Sequence, residues 1–231
     1  MIMNVLIVSI VGGILCLDRI FVQALISRPI VAAPVIGLIL GDPYTGLIAG
    51  AFIELFWIDR LPIGAYIPPN DTIAAVLIAA GAIESGRILG GLPQGLIALA
   101  VLIFIPLAVL AQKMELWVVC GNEKLARDAV SASAQGDIRS ISRNHLRAAL
   151  RGWLLPTVMI LIALPIGVGA MTWVYPRLAP WIIRGLNLVY GIIPLIGAAV
   201  ALNTINLRGS LPIFCAAFLM MTVILHYIRY V

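Results

Sequence analysis

The run SRPIVAAPVIGLILGDPYTGLIAGAFIELFWIDRLPIGAYIPPND, Ser27 to Asp71, mixes membrane-grade apolar segments with Asp42, Glu54, Asp59, Asn70 and Asp71. Pro29, Pro34, Pro43, Pro62, Pro68 and Pro69 break those segments repeatedly. The pieces 30–40 and 44–58 are too short to cross a hydrocarbon core of about 30 Å, which takes about 20 helical residues. Broken backbone at membrane depth persists only where protein or a cavity surrounds it, because an unpaired peptide group in hydrocarbon costs several kcal/mol. The run therefore predicts discontinuous or re-entrant helices, and transporter substrate sites concentrate at such breaks. A carboxylate there costs about 2.5–3.5 kcal/mol to insert and faces a protein interior or an aqueous cavity. Glu54 is thus the first functional candidate.

Outward from this stretch the same character holds. The chain is 62% hydrophobic and 11% charged, with a mean hydropathy of +1.11, against about 45–50% and 25% in an ordinary soluble domain. The apolar runs are continuous, whereas membrane β-strands alternate in polarity. The expected fold is an all-α polytopic membrane protein, with several full spans and broken or re-entrant helices in the N-terminal half. Residues 2–17 read as a retained first membrane helix rather than a signal peptide, since no basic start and no small-residue cleavage site frame them. A second apolar segment covers 20–26, and a small-residue stretch at 72–83 gives way to a polar interlude from Glu84 to Arg87. Full spans are expected at 92–111, 153–175, 186–202 and 211–227, with a short interfacial helix around Trp181. No soluble domain fits, so residues 1–231 read as a single membrane domain.

The net charge of +5 is concentrated in one place. Lys113, Lys124, Arg127, Arg139, Arg143, Arg147 and Arg151 stand between residues 112 and 151, with only Glu115, Glu123, Asp128 and Asp137 for balance. Basic residues flanking spans mark the cytoplasmic side, so this is expected to be a basic cytoplasmic loop, built as a helix, a turn at Gly136 and a returning helix. Lacking aromatic interleaving, it does not read as a nucleic-acid footprint. Cys16, Cys120 and Cys215 are far apart and form no metal pattern with His145 or His226. No phosphate-cradling loop, dinucleotide fingerprint or hydrolase motif occurs. Neither metal nor cofactor is expected.

Chemistry-bearing residues remain in the opening stretch. Gly46, Gly50 and Glu54 share one helical face, where glycines allow another backbone to approach; Glu54 either marks a substrate path or pairs with an arginine that holds helices together. Asn70 or Asp71 caps the helix beginning at Thr72, binds sugar hydroxyls through paired donors and acceptors, or does both. Asp59, next to Arg60 and near Trp57, forms an interfacial ion pair or helps to hold a sugar ring. Asn187, Asn203 and Asn206 suit interhelical hydrogen bonds.

These residues resemble the signature of the enzyme IIC subunit of the mannose/fructose/sorbose family of sugar phosphotransferase systems. The shared pattern falls on Arg28-Pro29, Gly37 to Asp42, Gly50 and Glu54, Ile63-Gly64 and Pro69-Asn70-Asp71, and a second similar stretch runs from Gly185 to Met221. The family's acidic residue after proline falls on Asn70 here, with Asp71 one position later, and the chain stops sooner after its last span than mannose-type examples do. The resemblance implies a group translocator in the bacterial cytoplasmic membrane, which passes a hexose or amino sugar inward coupled to its phosphorylation. It also implies partners: a membrane IID subunit, a soluble IIB carrying the phosphohistidine donor, IIA, and lipid, in an oligomeric complex. Glu54, Asp59, Asn70 and Asp71 are the implied sugar contacts. No catalytic residue is assigned to this chain, although Glu54 is a candidate for orienting the attacking hydroxyl, as in-line phosphoryl transfer depends chiefly on positioning. Two other readings of the same residues are an ion-coupled permease using Glu54 and Asp59, and a structural partner beside a sugar-binding IID.

Overall fold

The computed structural model describes residues 1–60, 66–205 and 212–220. All of the regular structure among them is helical. Ile63, Gly64 and Asn206, and about half of the last expected span, lie outside the described residues; 212–220 is helical.

Helix α1, Ile2–Leu17, ends at Asp18. The apolar segment at 20–26 is not a second helix but an irregular loop. Asp18 explains the difference, because its carboxylate accepts the Ala24 N–H (2.7 Å), the Ser27 N–H (3.1 Å) and the Ser27 hydroxyl (3.0 Å). Backbone donors that a helix would have used are taken by a side chain instead.

Next come α2, Pro29–Ile39, and α3, Pro43–Phe56. Each starts on a proline, whose fixed φ and missing N–H suit a helix's first turn. Between them Gly41 adopts φ 76°, and Asp42 caps α3 through the Thr45 N–H at 3.0 Å and the Thr45 hydroxyl at 2.6 Å. The two helices lie against each other with almost no side chain between them: a Cβ on Gly46 would stand 2.5 Å from the Ala33 carbonyl oxygen, and one on Gly50 would collide with that of Pro29. The glycine face expected from the sequence is this seam.

Helix α4, Asp71–Leu89, is continuous through the expected polar interlude and stops at Gly90, which takes φ 76°. Every residue from Thr72 to Gly86 is buried. Glu84 is tolerated there because Asn4 Nδ2 and Arg87 Nη1 each donate to its Oε1 at 2.8 Å, and Arg87 also donates to the Leu40 carbonyl. Charge inside a helix is compatible with burial once it is paired and hydrogen-bonded.

Helix α5, Gln94–Ala134, has 41 residues and α6, Ile138–Val174, has 37. At 1.5 Å per residue each is roughly 55–60 Å long, well beyond a bilayer core. The span expected at 92–111 therefore runs on without a break into the basic segment, and residues 112–151 are the projecting end of a helical hairpin. Its turn uses Gly136 at φ 71°, with Asp137 capping α6 through the Ser140 N–H at 3.1 Å. After a 3-10 turn, Tyr175–Arg177, helix α7 runs over Pro180–Ile205. Trp181 lies in its first turn, so the separate interfacial helix expected there does not form.

The helices α4, α5, α6 and α7 are long and apolar enough to cross a membrane, while α1, α2 and α3 are shorter apolar helices. The N-terminal half thus carries the short helices that its prolines and charges predicted. Helix α4 is the centre, packed against α1, α2, α3, α5 and α6. Phe104 of α5 seats its ring where Gly81 of α4 and Gly167 of α6 leave no room for a Cβ.

Candidate functional site

Where α1 ends and α4 begins, a cavity of about 710 Å³ opens between the 18–28 loop, Tyr66–Pro68, α5 and α6. Its polar wall includes Arg19, Asp71, Glu115, Asn122 and His145, and its apolar wall includes Phe21 and Val118.

Asn70 is fully buried at the start of α4. Its Oδ1 accepts the Ile73 N–H at 2.9 Å, capping the helix, its own N–H donates to the Ala108 carbonyl at 3.0 Å, and its Nδ2 donates to the Glu115 carboxylate. Asp71 follows in the first turn, where a negative charge is favoured by the helix dipole, and pairs with Arg19. Thr72 ties the loop to the same helix end by donating its hydroxyl to the Ser27 carbonyl at 2.7 Å. From α5, Gln112 donates to the Ile67 carbonyl. Three consecutive residues at one helix start therefore bind three different neighbours.

Within the loop, burial pushes Asp18 toward protonation, but the hydrogen bonds from Ser27 and Ala24 outweigh it and hold the carboxyl below its ordinary range. A carboxylate satisfied by fixed donors stays ionised. Asp18 thus builds the loop and leaves Arg19 facing Asp71.

Of the four residues singled out from the sequence, Asp71 lines the cavity and Asn70 stands directly behind Glu115. Glu54 and Asp59 do not line it. Glu54, on the last turn of α3, accepts from Arg28 Nε at 3.1 Å and from the Ile30 N–H at 3.3 Å, so it braces the start of α2. Asp59 pairs with Arg60 at 3.5 Å. Their partners Arg28 and Arg60 do reach the cavity wall. Trp57 packs edge-on to Phe56, with ring centroids 5.4 Å apart, away from the cavity.

Sequence reasoning missed Arg19, Glu115, Asn122 and His145. Arg19 follows the first apolar helix with no signal of its own, and the other three sit inside the segment read as a basic cytoplasmic loop. One signal was available: a helix running unbroken from residue 94 past 115 returns Glu115 to the level of the prolines at 68 and 69.

Chemically, the cavity offers carboxylate acceptors, amide and guanidinium donors, and aromatic and apolar surface. That is the mixture a small polyhydroxylated ligand needs.

The family model described as the sorbose-specific IIC component of phosphotransferase systems matches residues 2–229. The chain is similar to the mannose-specific EIIC component of Escherichia coli strain K12, with 24% identity over 217 residues, covering 94% of this chain and 79% of that protein. It is also similar to the fructose permease IIC component of Bacillus subtilis strain 168, with 27% identity over 218 residues, covering 94% of this chain and 78% of the other. Among solved structures, a chain of the mannose transporter ManYZ in complex with microcin E492 shares its fold with a TM-score of 0.63 at 23% identity, over 96% of this chain and 87% of that one.

Proposed function

The chain belongs to the sorbose-type IIC family of sugar phosphotransferase systems, and from that premise we propose that its sugar is held in the cavity at the start of α4. It is a multi-pass membrane protein, the sugar-translocating IIC subunit of a mannose-family system. The ion-coupled permease and the purely structural partner do not describe such a subunit.

One observation carries the placement of the site. Asp71 with Arg19, and Asn70 with Glu115, bring two carboxylates from separate helices to one cavity, whose volume falls within the range of about 300–1,000 Å³ typical of small-molecule pockets. Asp71 and Glu115 accept from sugar hydroxyls, Asn122 donates to ring or hydroxyl oxygens, Arg19 holds Asp71 in place, and Phe21 covers an apolar face of the sugar. Glu54 and Asp59 act at one remove, by holding Arg28 and Arg60 at the wall. With no phosphoryl carrier expected on this chain, its contribution to in-line transfer is positioning, which alone removes much of the barrier between two reactants. The substrate class is a hexose or amino sugar, in keeping with relatives named for mannose, fructose, sorbose and N-acetylgalactosamine.

Partners follow from the family. A IID membrane subunit completes the translocator, a reading supported by the similar fold in the ManYZ complex, and soluble IIB and IIA supply the phosphoryl group from the cytoplasm. Residues 1–231 act as a single membrane domain in the bacterial cytoplasmic membrane. The basic hairpin at 112–151 lies on the cytoplasmic side, as the excess of arginine and lysine requires.

Uptake by vesicles containing this chain with IID and IIB tests the reading. Sugar phosphate is expected inside only when a phosphoryl donor is present, and Asp71→Asn is expected to raise KM about tenfold or more, the loss of a hydrogen bond to a charged group. Unchanged KM in Asp71→Asn overturns the assignment of the cavity.

A further inference from the structure

Of the carboxylates at the cavity, Asp71 and Glu115 are each engaged through one oxygen. Asp71 Oδ1 receives both Arg19 Nη1 and the Thr72 N–H, the latter at 2.9 Å, and Glu115 Oε1 receives Asn70 Nδ2. Among the described residues no hydrogen bond falls on Asp71 Oδ2 or Glu115 Oε2. A carboxylate fixed by one oxygen keeps the acceptor capacity of the other in a set orientation.

Arg19 is itself held by an unusual segment. The 18–28 loop is stapled by Asp18 to Ala24 and Ser27. It holds Gln23 at φ 57° and Leu25 at φ 65°, left-handed backbone that disfavours L side chains and persists only where its surroundings over-determine it. Ile20, Val22 and Leu25 are more than half exposed, so a hydrophobic core does not explain the conformation. Phe21 rests on His145 with ring centroids 5.0 Å apart, and Ser27 accepts from Thr72. What the loop delivers between these anchors is the Arg19 guanidinium.

We propose that Arg19 is a positioning residue for the sugar: presented by the stapled loop, it fixes Asp71 through Oδ1 so that Oδ2, together with Glu115 Oε2, forms a two-acceptor site for a pair of sugar hydroxyls. The inference rests on the cavity being the sugar site, and it assigns Arg19 a role exercised through Asp71.

The test is a double-mutant cycle on the translocator with its IID and IIB partners in vesicles, with labelled mannose, fructose and N-acetylgalactosamine as probes and donor-dependent uptake as the readout. Arg19→Gln is expected to raise KM roughly tenfold, the scale of one hydrogen bond to a charged group, and to leave kcat within about twofold, as loss of uniform binding does. Arg19→Lys keeps the charge without the planar fork and is expected to recover part of the loss. The double variant Arg19→Gln/Asp71→Asn is expected to be no worse than Asp71→Asn alone, because a residue acting through another adds nothing once that partner is gone. It also removes both charges together, so its folding does not suffer from a stranded carboxylate. Arg19→Gln and Asp71→Asn effects that multiply, or Arg19→Gln at wild-type KM while Asp71→Asn is impaired, overturn the role of Arg19 and leave the cavity standing. Asp71→Asn at wild-type KM overturns the cavity itself.

Discussion

Asn70 does three jobs with one side chain and one peptide group: it caps α4, holds Glu115 and ties its own N–H to Ala108. Removing it with Asn70→Ala costs about 1 kcal/mol for the cap and about 1–3 kcal/mol more for the donor lost to a half-buried carboxylate. Thermal unfolding of the purified protein in detergent is expected to fall by about 4–8 °C for a loss near 2 kcal/mol. An unchanged midpoint contradicts the hydrogen bonds described. Glu54→Gln is a milder change. It keeps an acceptor for the Ile30 N–H while dropping the ion pair to the half-exposed Arg28, a pair of the kind worth about 0–1 kcal/mol, so uptake is expected to stay near wild type where Asp71→Asn does not. Equal impairment of the two in KM shows that Glu54 touches sugar directly. Asn70 and Asp71 were legible in the sequence because Asn and Asp before an apolar run are capping residues. Glu115 was not, because its nearest charged neighbours in sequence, Lys113, Glu123 and Lys124, made it look solvated, and only the packing of α5 on α4 takes it out of water.

At the scale of elements, the turns were readable and the lengths were not. Gly41-Asp42-Pro43 carries a left-handed glycine, a capping carboxylate and a proline at the first helical position, so the α2–α3 hairpin follows from local chemistry alone. The glycines facing it predict how tightly it closes. Gly46→Leu places a side chain where a Cβ already meets the Ala33 carbonyl oxygen at 2.5 Å. Overpacking of this kind costs about 1–3 kcal/mol, and the expected result is a lower unfolding temperature with loss of uptake, whereas Gly91→Leu, where nothing lies within 4 Å, is expected to be neutral. Two of the departures from the sequence reading share one cause. Residues 20–26 are apolar enough for a helix, but Asp18 takes their backbone donors; Glu84 to Arg87 is polar enough for a break, but Asn4, Arg87 and Leu40 satisfy it inside one. In each case a partner distant in sequence decides, and hydropathy along the chain is blind to it.

Across the whole molecule, the short helices are gathered in the N-terminal half around α4, the cavity lies between their loops and α5 and α6, and α5 and α6 form a hairpin longer than a bilayer core. Orientation is the property of this scale, and labelling decides it. Gln135→Cys, in a chain with Cys120 and Cys215 replaced by serine, sits at the hairpin tip at an exposed position with ordinary helical backbone. Right-side-out vesicles are expected to protect it from a membrane-impermeant maleimide and inverted vesicles to expose it; the reverse pattern places the basic hairpin outside. Helix α4 is anchored at its start by Asn70, Asp71 and Thr72 and at its end by Glu84 and Arg87, with every residue from Thr72 to Gly86 buried. A beam clamped at both ends and jacketed along its length cannot serve as the hinge of a machine; it is the chassis, and whatever stroke carries sugar across must be made by parts that swing about it.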